Sequence, residues 1–348
     1  MRGIHGGDIY SNRVNMDFSV NVNPLGMPKA VAAALHDAVD MCVGYPDMAE
    51  KKLKSAVGRM LKVPEEYLLF GNGASELFMG IVHGMKPRKI LIPVPSFYGY
   101  EYVSGAVGGE VVFYPLREEK DFLPGEDFPM ALTEDVELLF LANPNNPTGR
   151  LMSKEYLRRL LNACRQKGIT VVLDECFIEF CGKDFSMVSE IEEYDNLLLV
   201  RAFTKIYAIP GVRLGYLIGS DRSMLSEIKR QLPEWNLSVF AHAAGSVCAG
   251  QSTFITETID YVKRERQFLT DNLRQMNLRA FPGEANFILL YSDIPLYESL
   301  LERGILIRDC GNFRGLSKGY YRIAVKSRKE NETLLKVLRE LTADFGKV

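Results

Sequence analysis

The sequence has no excess of charge of either sign, and this limits its partners. The 348 residues include 42 Lys and Arg against 44 Asp and Glu, which gives a formal net charge of −2 at pH 7. A nucleic-acid-binding protein needs surplus positive charge to neutralise phosphates. We therefore expect no nucleic-acid partner.

Long hydrophobic runs are also absent. No apolar stretch approaches the roughly 20 residues that a transmembrane helix requires. The N-terminal residues, MRGIHGGDIYSNR, contain no apolar signal core. We therefore expect no membrane partner and a cytoplasmic location.

Cysteine and histidine are scarce, with six and four residues. The cysteines form no CxxC pair, and the histidines lie far from them in sequence. This pattern does not indicate a zinc site, and a disulfide framework is not expected in a chain of this length. We predict no metal and reduced, mostly buried thiols.

From about residue 65, short apolar runs alternate with amphipathic helical segments. This alternation is typical of an α/β protein with a mainly parallel central sheet and helices on both faces. We predict strands at residues 67–70, 89–94, 111–116, 138–144, 170–176, 197–203 and 214–219.

The pattern changes past about residue 250, and the length favours more than one domain. A long helix at about 254–276 precedes shorter strands, among them 305–309, which indicates a smaller α+β domain. The first thirty residues are rich in Asn, Gly and Pro and predict an extended arm, which would lie across a site or a partner subunit. The predicted division is therefore an arm at 1–30, a large domain at 31–250 and a small domain at 251–348.

Polar motifs follow several of the predicted strands, where an open parallel sheet forms its ligand crevice. The segment GNGAS, residues 71–75, opens a helix whose first amides come from Ala74 and Ser75. Such a helix start binds phosphate. A dinucleotide fingerprint would need a third glycine where Glu76 stands. A plain strand-to-helix turn is the remaining alternative.

Two further strands end in polar residues. The segment NPNNPTG, residues 143–149, presents Asn145 and Asn146 at the sheet edge, either in a site or in a rigid turn. Asp174 ends an apolar strand and needs a partner because burying a lone carboxylate is costly. That partner is either the protonated ring nitrogen of a pyridine cofactor or the next helix, which Asp174 would cap.

Lys205 lies in FTKIYAIPGVRLGY, residues 203–216, directly after an apolar strand. A lysine among apolar groups has a lowered pKa and can form a Schiff base with a carbonyl compound. Arg213 follows eight residues later, near the expected phosphate. Taken alone, Lys205 would be interpreted as a surface lysine.

In their order and spacing, these four motifs resemble the fold-type-I aminotransferases, which use pyridoxal 5′-phosphate. The resemblance covers nearly the whole chain. It implies a Schiff base on Lys205, a bond from Asp174 to the pyridine nitrogen and one from Asn146 to the phenolic oxygen. The cofactor contacts that it implies around the phosphate are Gly73, Ala74, Ser75, Thr204 and Arg213.

Three aromatic positions belong to the same resemblance. Phe97 matches the ring that stacks on the pyridine, and Tyr45 matches the tyrosine that reaches the phosphate in the neighbouring subunit. We therefore expect a homodimer. Phe177 departs from the family, which usually has a tyrosine that donates to the phenolic oxygen; the missing hydroxyl should change the electronics of the cofactor.

The C-terminal part resembles the histidinol-phosphate aminotransferases, which have two arginines at the positions of Arg308 and Arg322. Paired guanidiniums suit a small substrate with two anionic groups, such as a phosphorylated amino acid. The alternative for Arg308 is a surface ion pair with Asp309 or a neighbouring acid.

Other segments resemble the L-threonine-O-3-phosphate decarboxylases of cobalamin synthesis: HGGDIY, DFSVNVNPLG, DECFIEF and IRDCGNFRGL. Asp8 departs from that group, which usually has asparagine. The resemblance implies decarboxylation of L-threonine O-3-phosphate to (R)-1-amino-2-propanol phosphate, with histidinol-phosphate transamination as the alternative. The substrate-lining residues that it implies are His5, Gly6, Gly7, Asn23, Asn146, Arg308 and Arg322.

Overall fold

The computed structural model describes residues 5–345. The ends of the predicted arm and small domain, at 1–4 and 346–348, lie outside the described residues. The strands are β1 Met16–Asp17, β2 Leu68–Gly71, β3 Lys89–Val94, β4 Glu110–Pro115, β5 Leu138–Ala142, β6 Thr170–Asp174, β7 Leu197–Ala202, β8 Gly215–Ile218, β9 Arg279–Ala280, β10 Phe287–Tyr291, β11 Ile305–Leu306, β12 Arg308–Asp309 and β13 Tyr320–Ala324.

Helices connect most of these strands. They are α1 Lys29–Asp37, α2 Lys51–Leu61, α3 Ala74–Met85, α4 Gly99–Ala106, α5 Phe128–Ala131, α6 Lys154–Gln166, α7 Phe203–Ile206, α8 Arg222–Lys229, α9 Val239–Cys248, α10 Ser252–Gln275, α11 Leu296–Leu301 and α12 Arg328–Phe345.

The main sheet, as formed by the described residues, has seven strands in the order β2-β8-β7-β6-β5-β3-β4. Neighbours pair in parallel except β8, which runs antiparallel to both β2 and β7. The prediction of a mainly parallel α/β sheet is confirmed, and the predicted strand ends differ from the observed ones by two residues or fewer.

Both faces of this sheet are covered. Along β5, Leu139 and Leu141 belong to one hydrophobic cluster, whereas Leu138 and Phe140 belong to the cluster on the opposite face. Because both kinds of position are buried, the strand sequences are continuously apolar rather than alternating. This explains why apolar runs indicated the strands so well.

A second, antiparallel sheet comes from the C-terminal part, in the order β12-β13-β10-β9. The strand predicted at 305–309 is divided at Ile307: β11 pairs in parallel with β1 of the arm, and β12 pairs with β13. The arm therefore adds a strand beside the C-terminal part. The exact domain division stays a prediction.

Two general features bear on function. Within residues 5–345, no helix is both long and apolar enough to cross a membrane. The same described range contains no group of three or more His, Cys, Asp or Glu side chains arranged to hold a metal ion.

A buried ion pair joins the ends of β6 and β7. The Arg201 guanidinium donates to the Glu175 carboxylate from Nε at 3.0 Å and from Nη2 at 2.7 Å. Ser186 Oγ and the Met187 amide also donate to this carboxylate, at 2.7 and 2.8 Å. Glu175 directly follows Asp174, so the pair fixes the position of the end of β6 relative to the end of β7.

Replacing Arg201 with methionine should lower the free energy of unfolding by about 3–5 kcal/mol, because the Glu175 charge would stay buried without its main partner. Guanidinium-induced unfolding followed by circular dichroism measures this. Arg159→Met is the control, because it breaks a 2.7 Å pair with Glu155 in which both side chains are exposed; it should leave stability nearly unchanged. Equal effects of the two substitutions would contradict the structural role of the buried pair.

Candidate functional site

The strand ends of the main sheet border a cavity of about 770 Å³. The C-terminal sheet and the arm close its other sides. Most of the residues singled out from the sequence line it, namely His5, Gly6, Ala74, Ser75, Phe97, Asn146, Asp174, Phe177, Thr204, Lys205, Arg213, Arg308 and Arg322.

Lys205 lies on the one-turn helix α7 that follows β7, and its amine faces the cavity. Burial lowers the pKa of Lys205 to about 8, and the nearby positive charges of Arg322 and Arg213 act in the same direction. A larger share of this amine is therefore neutral near pH 7 than of an ordinary lysine. A neutral amine is the form that attacks a carbonyl carbon.

Asp174 ends β6 on the floor of the same cavity. Its carboxylate accepts a hydrogen bond from the Tyr100 hydroxyl at 2.5 Å and another from the Cys176 amide at 2.9 Å. Burial raises the pKa of Asp174, and hydrogen bonds from Cys176 and Tyr100 oppose that rise. A buried carboxylate held in this way suits a cationic partner such as a protonated ring nitrogen.

The start of α3 forms an anion site together with Arg213. Gly73 has φ +80°, and a Cβ at this position would lie 2.5 Å from Arg213 Nη2. A Cβ on Gly215 would lie 2.6 Å from the Ala74 amide nitrogen. Glycine at both positions therefore lets the guanidinium and β8 approach the helix start, where backbone amides and the helix dipole favour phosphate.

Aromatic rings form one wall of the cavity. Phe97 packs edge-on against Tyr100, with ring centroids 5.6 Å apart. Phe177 lines the cavity as well and packs edge-on against Phe287 at 5.1 Å. At position 177 the cavity therefore receives a hydrocarbon ring and no hydroxyl donor.

Arg308 and Arg322 stand directly opposite each other on the paired strands β12 and β13. Both are buried, and burial lowers the pKa of Arg322 to about 10 and also lowers the pKa of Arg308. Like charges on facing positions of a sheet repel. An anion bound between the guanidiniums would relieve that repulsion, whereas the interpretation of Arg308 as a surface residue does not fit its burial.

Neighbouring groups orient the two guanidiniums. Arg322 donates to the Asn146 side-chain oxygen and, at 2.9 Å, to the Ser19 carbonyl. Arg308 donates to Asn312 Oδ1 at 2.8 Å. These contacts leave the arginines directed into the cavity that they line.

Four of the predicted residues do not line this cavity; one is Gly73, which directly precedes the lining residue Ala74. Asn23 lies behind it, where its side-chain amide donates to the Ile206 carbonyl at 2.6 Å and to Thr258 Oγ1 at 2.8 Å. Gly7 lines a small adjoining pocket. Tyr45 is 84% exposed, and its ring centroid lies 4.9 Å from that of Trp235. A contact from Tyr45 to a neighbouring subunit stays a prediction.

Asp8 is exposed and lines the same small pocket as Gly7, outside the main cavity. Its carboxylate accepts a hydrogen bond from the Ser11 amide at 3.1 Å. Asp8 therefore caps a local turn of the arm and does not line the main cavity, although Arg308 also lines the small pocket.

The sequence analysis missed Asn21, which lines the cavity, and Tyr100, which does not line it but contacts Asp174. Asn21 lies beside the Arg322 guanidinium, on the arm segment where Asn23 was expected to face the substrate. The motif NVNPLG contains both asparagines, and only the path of the arm decides which one faces inward. Tyr100 was missed because its partner Asp174 is 74 residues away in sequence.

Comparison with known proteins agrees with this geometry. Residues 13–338 match the family described as aminotransferase class I and II. A threonine-phosphate decarboxylase of Salmonella typhimurium is 37% identical over 94% of this chain and 91% of its own length. The structure of a histidinol-phosphate aminotransferase from Clostridium acetobutylicum is 34% identical, with a TM-score of 0.89 over 94% of this chain and 99% of that one.

A further solved structure is a histidinol-phosphate aminotransferase from Sinorhizobium meliloti in complex with pyridoxal-5′-phosphate. It is 21% identical, with a TM-score of 0.85 over 95% of this chain and 92% of that one. The cavity described here fits such a cofactor by its own chemistry. Lys205 supplies an amine for the aldehyde, Asp174 a carboxylate for the ring nitrogen, and the α3 start with Arg213 a phosphate site.

The lowered pKa of Lys205 leads to a first prediction for the site. In protein freed of cofactor, reductive methylation of Lys205 should rise with pH around a midpoint of about 8. Lys89 is the internal control, because its hydrogen bond to Asp135 raises its pKa. Mass spectrometry of peptides after labelling at a series of pH values compares the two. Equal midpoints would show that the cavity does not favour a neutral Lys205.

The bond from Tyr100 to Asp174 leads to a second prediction. Tyr100→Phe removes one donor from a buried carboxylate, so Asp174 should become easier to protonate and hold a cationic ring nitrogen less well. Affinity for pyridoxal 5′-phosphate should fall about tenfold or more, since a hydrogen bond to a charged group contributes about 1.5–3 kcal/mol. Fluorescence titration of cofactor-free protein measures the affinity.

Tyr102→Phe is the matched control for this measurement. Tyr102 lies two residues further along α4 and is 61% exposed. Tyr102→Phe therefore removes a hydroxyl that does not contact Asp174. If both variants bind the cofactor as tightly as the unmodified protein, the Tyr100 hydroxyl does not support Asp174 in cofactor binding.

Proposed function

The chain belongs to the aminotransferase class I and II family, and from this premise we propose that it decarboxylates L-threonine O-3-phosphate to (R)-1-amino-2-propanol phosphate. Its cofactor is pyridoxal 5′-phosphate. The observation that carries the proposal is the facing pair Arg308 and Arg322, which gives one cavity two buried positive charges for a small substrate with two anionic groups.

Similarity to the Salmonella typhimurium threonine-phosphate decarboxylase, over nearly the full length of both chains, supports the same substrate. The conclusion that the chain is an enzyme that depends on pyridoxal phosphate holds whether the reaction is decarboxylation or transamination. Histidinol-phosphate transamination is the second candidate, because the Clostridium acetobutylicum aminotransferase is also 34% identical.

In the proposed reaction, different residues of the cavity would bind the cofactor and the substrate. Pyridoxal phosphate, when bound, withdraws electrons from the α-carbon of an amino substrate and so permits one of its bonds to break. Asp174 and the α3 start would hold the two ends of the cofactor. Arg308 and Arg322 would bind the substrate anions bidentately and so decide which bond at the α-carbon is exposed to cleavage.

A decarboxylase must then replace the lost carboxylate with a proton. Lys205 Nζ is suited to this step, because an amine with a pKa of about 8 both accepts and delivers a proton near neutral pH. His5 and Gly6 of the arm line the cavity on the side of the arginines. Covering the site in this way excludes water, which strengthens the charge contacts and protects a carbanionic centre.

The proposal includes a homodimer as the active unit. Tyr45 and Trp235 form an exposed aromatic pair, and Val43 and Met41 beside them are also exposed. Exposed apolar groups concentrated in this way suit a surface covered by another subunit. The expectation of a cytoplasmic location still rests on the sequence.

The proposed reaction predicts release of carbon dioxide from L-threonine O-3-phosphate. Assays of carbon dioxide release and of glutamate formation from histidinol phosphate with 2-oxoglutarate should run in parallel on the same preparation. We expect the first product to dominate. Strong glutamate formation without carbon dioxide release would replace the proposed reaction with transamination.

Arg308→Gln and Arg322→Gln should each lower kcat/KM for L-threonine O-3-phosphate about a hundredfold, because losing one buried guanidinium from an anion costs about 2–5 kcal/mol. Arg303→Gln is the control: Arg303 is exposed in the same C-terminal part and does not line the main cavity. Unchanged kinetics in the two buried-arginine variants would mean that the pair does not bind the substrate.

A further inference from the structure

An ion pair crosses the rim of the cavity between two parts of the chain. Arg314, from the C-terminal part, donates to the Glu101 carboxylate of α4 from Nε at 3.2 Å and from Nη2 at 2.8 Å. Both residues line the cavity, yet their side chains are 51% and 33% exposed. The pair therefore lies between the cavity and the solvent, and the proposed chemistry does not use it.

Other contacts hold the pair in this position. The Arg314 guanidinium lies over the Phe113 ring, 4.1 Å from its centroid, which is a favourable cation–π distance. The next residue, Gly315, has φ +87°, and a Cβ there would lie 3.3 Å from the backbone of Val94 and Pro95. The segment 311–316, called here the rim loop, thus rests on the end of β3.

The rim loop also contacts Arg308, one of the two arginines proposed to bind the substrate. Asn312 accepts a hydrogen bond from Arg308 at 2.8 Å, and the Arg308 guanidinium lies 5.0 Å from the centroid of the Phe313 ring. One end of the loop therefore orients Arg308, and the other end reaches Glu101. An anion held by Arg308 would therefore lie close to this loop, and a substrate that extended toward Phe113 would meet the ion pair.

We propose that the Arg314–Glu101 pair sets the upper limit on the length of the phosphorylated substrate, so that both residues determine specificity. This inference rests on the proposed function for the class of substrate. The apolar wall beyond the arginines, formed by Phe113, Phe313 and Leu316, would otherwise accept a longer side chain. A partly exposed ion pair is weak enough to open for entry of substrate and close afterwards.

Binding of phosphate monoesters of two lengths to the enzyme loaded with pyridoxal phosphate tests the proposal. Isothermal titration calorimetry would compare n-propyl phosphate with n-hexyl phosphate. In the unmodified enzyme the shorter ester should bind more tightly, because the longer chain meets the closed pair. In Arg314→Gln and in Glu101→Gln, the ratio of affinities should move about tenfold toward the longer ester.

Two further variants separate the pair from its individual members. The double variant Arg314→Gln with Glu101→Gln should show the same ratio as either single variant, since two residues that act as one unit are not additive. Arg222→Gln is the control. It breaks an exposed 2.6 Å pair with Glu66 that does not line the cavity, and it should leave the ratio unchanged.

The outcomes distinguish this proposal from the proposed reaction. An unchanged ratio in all variants, or a change in Arg314→Gln but not in Glu101→Gln, overturns the role of the pair. Failure of n-propyl phosphate to bind would contradict the proposed binding of the substrate phosphate, and this inference would fail with it. Transamination of histidinol phosphate without carbon dioxide release would overturn the proposed decarboxylation, and the ratio of ester affinities would still test the role of the pair.

Discussion

Positive charge gathered in a partly closed cavity is the constraint on which the site depends. Lys205, Arg213, Arg308 and Arg322 line one cavity together with Asp174, which ends the strand paired with β7. Burial lowers the pKa values of Lys205 and Arg322, and repulsion from neighbouring guanidiniums acts in the same direction. Anionic ligands relieve this repulsion, so a phosphorylated cofactor and a phosphorylated substrate suit the same cavity.

The fold keeps these charges apart in two groups. Parallel strands bring Lys205 and Asp174 to one edge of the main sheet, with the α3 start beside them for one phosphate. The antiparallel pairing of β12 with β13 sets Arg308 opposite Arg322 for a second set of anions. The buried Arg201–Glu175 pair lies at the ends of β7 and β6, next to Lys205 and Asp174. The same two strand ends therefore contain a stabilising ion pair and the residues of the candidate site.

Decarboxylases and aminotransferases resemble this chain almost equally, and the site explains why. Both reactions need the same amine, carboxylate and phosphate site, so these residues do not separate them. What differs is how the substrate is held, and in the proposed function that depends on the two arginines, the arm and the rim loop. Phe177 adds to the difference, because a ring without a hydroxyl leaves the cofactor side of the cavity with one donor fewer.

The sequence by itself determined the class of fold and singled out most residues of the candidate cofactor site. Apolar runs indicated the strands because both faces of the sheet are buried. Lys205, Asp174 and Ala74 lie at strand ends or helix starts that local sequence defines, and Arg213 lies just before β8. Only the tertiary structure decided the rest. Tyr100 contacts Asp174 across 74 residues, and Arg314 contacts Glu101 across 213 residues. Asn21 rather than Asn23 faces the cavity because the path of the arm is set by distant hydrogen bonds, which local sequence patterns do not encode.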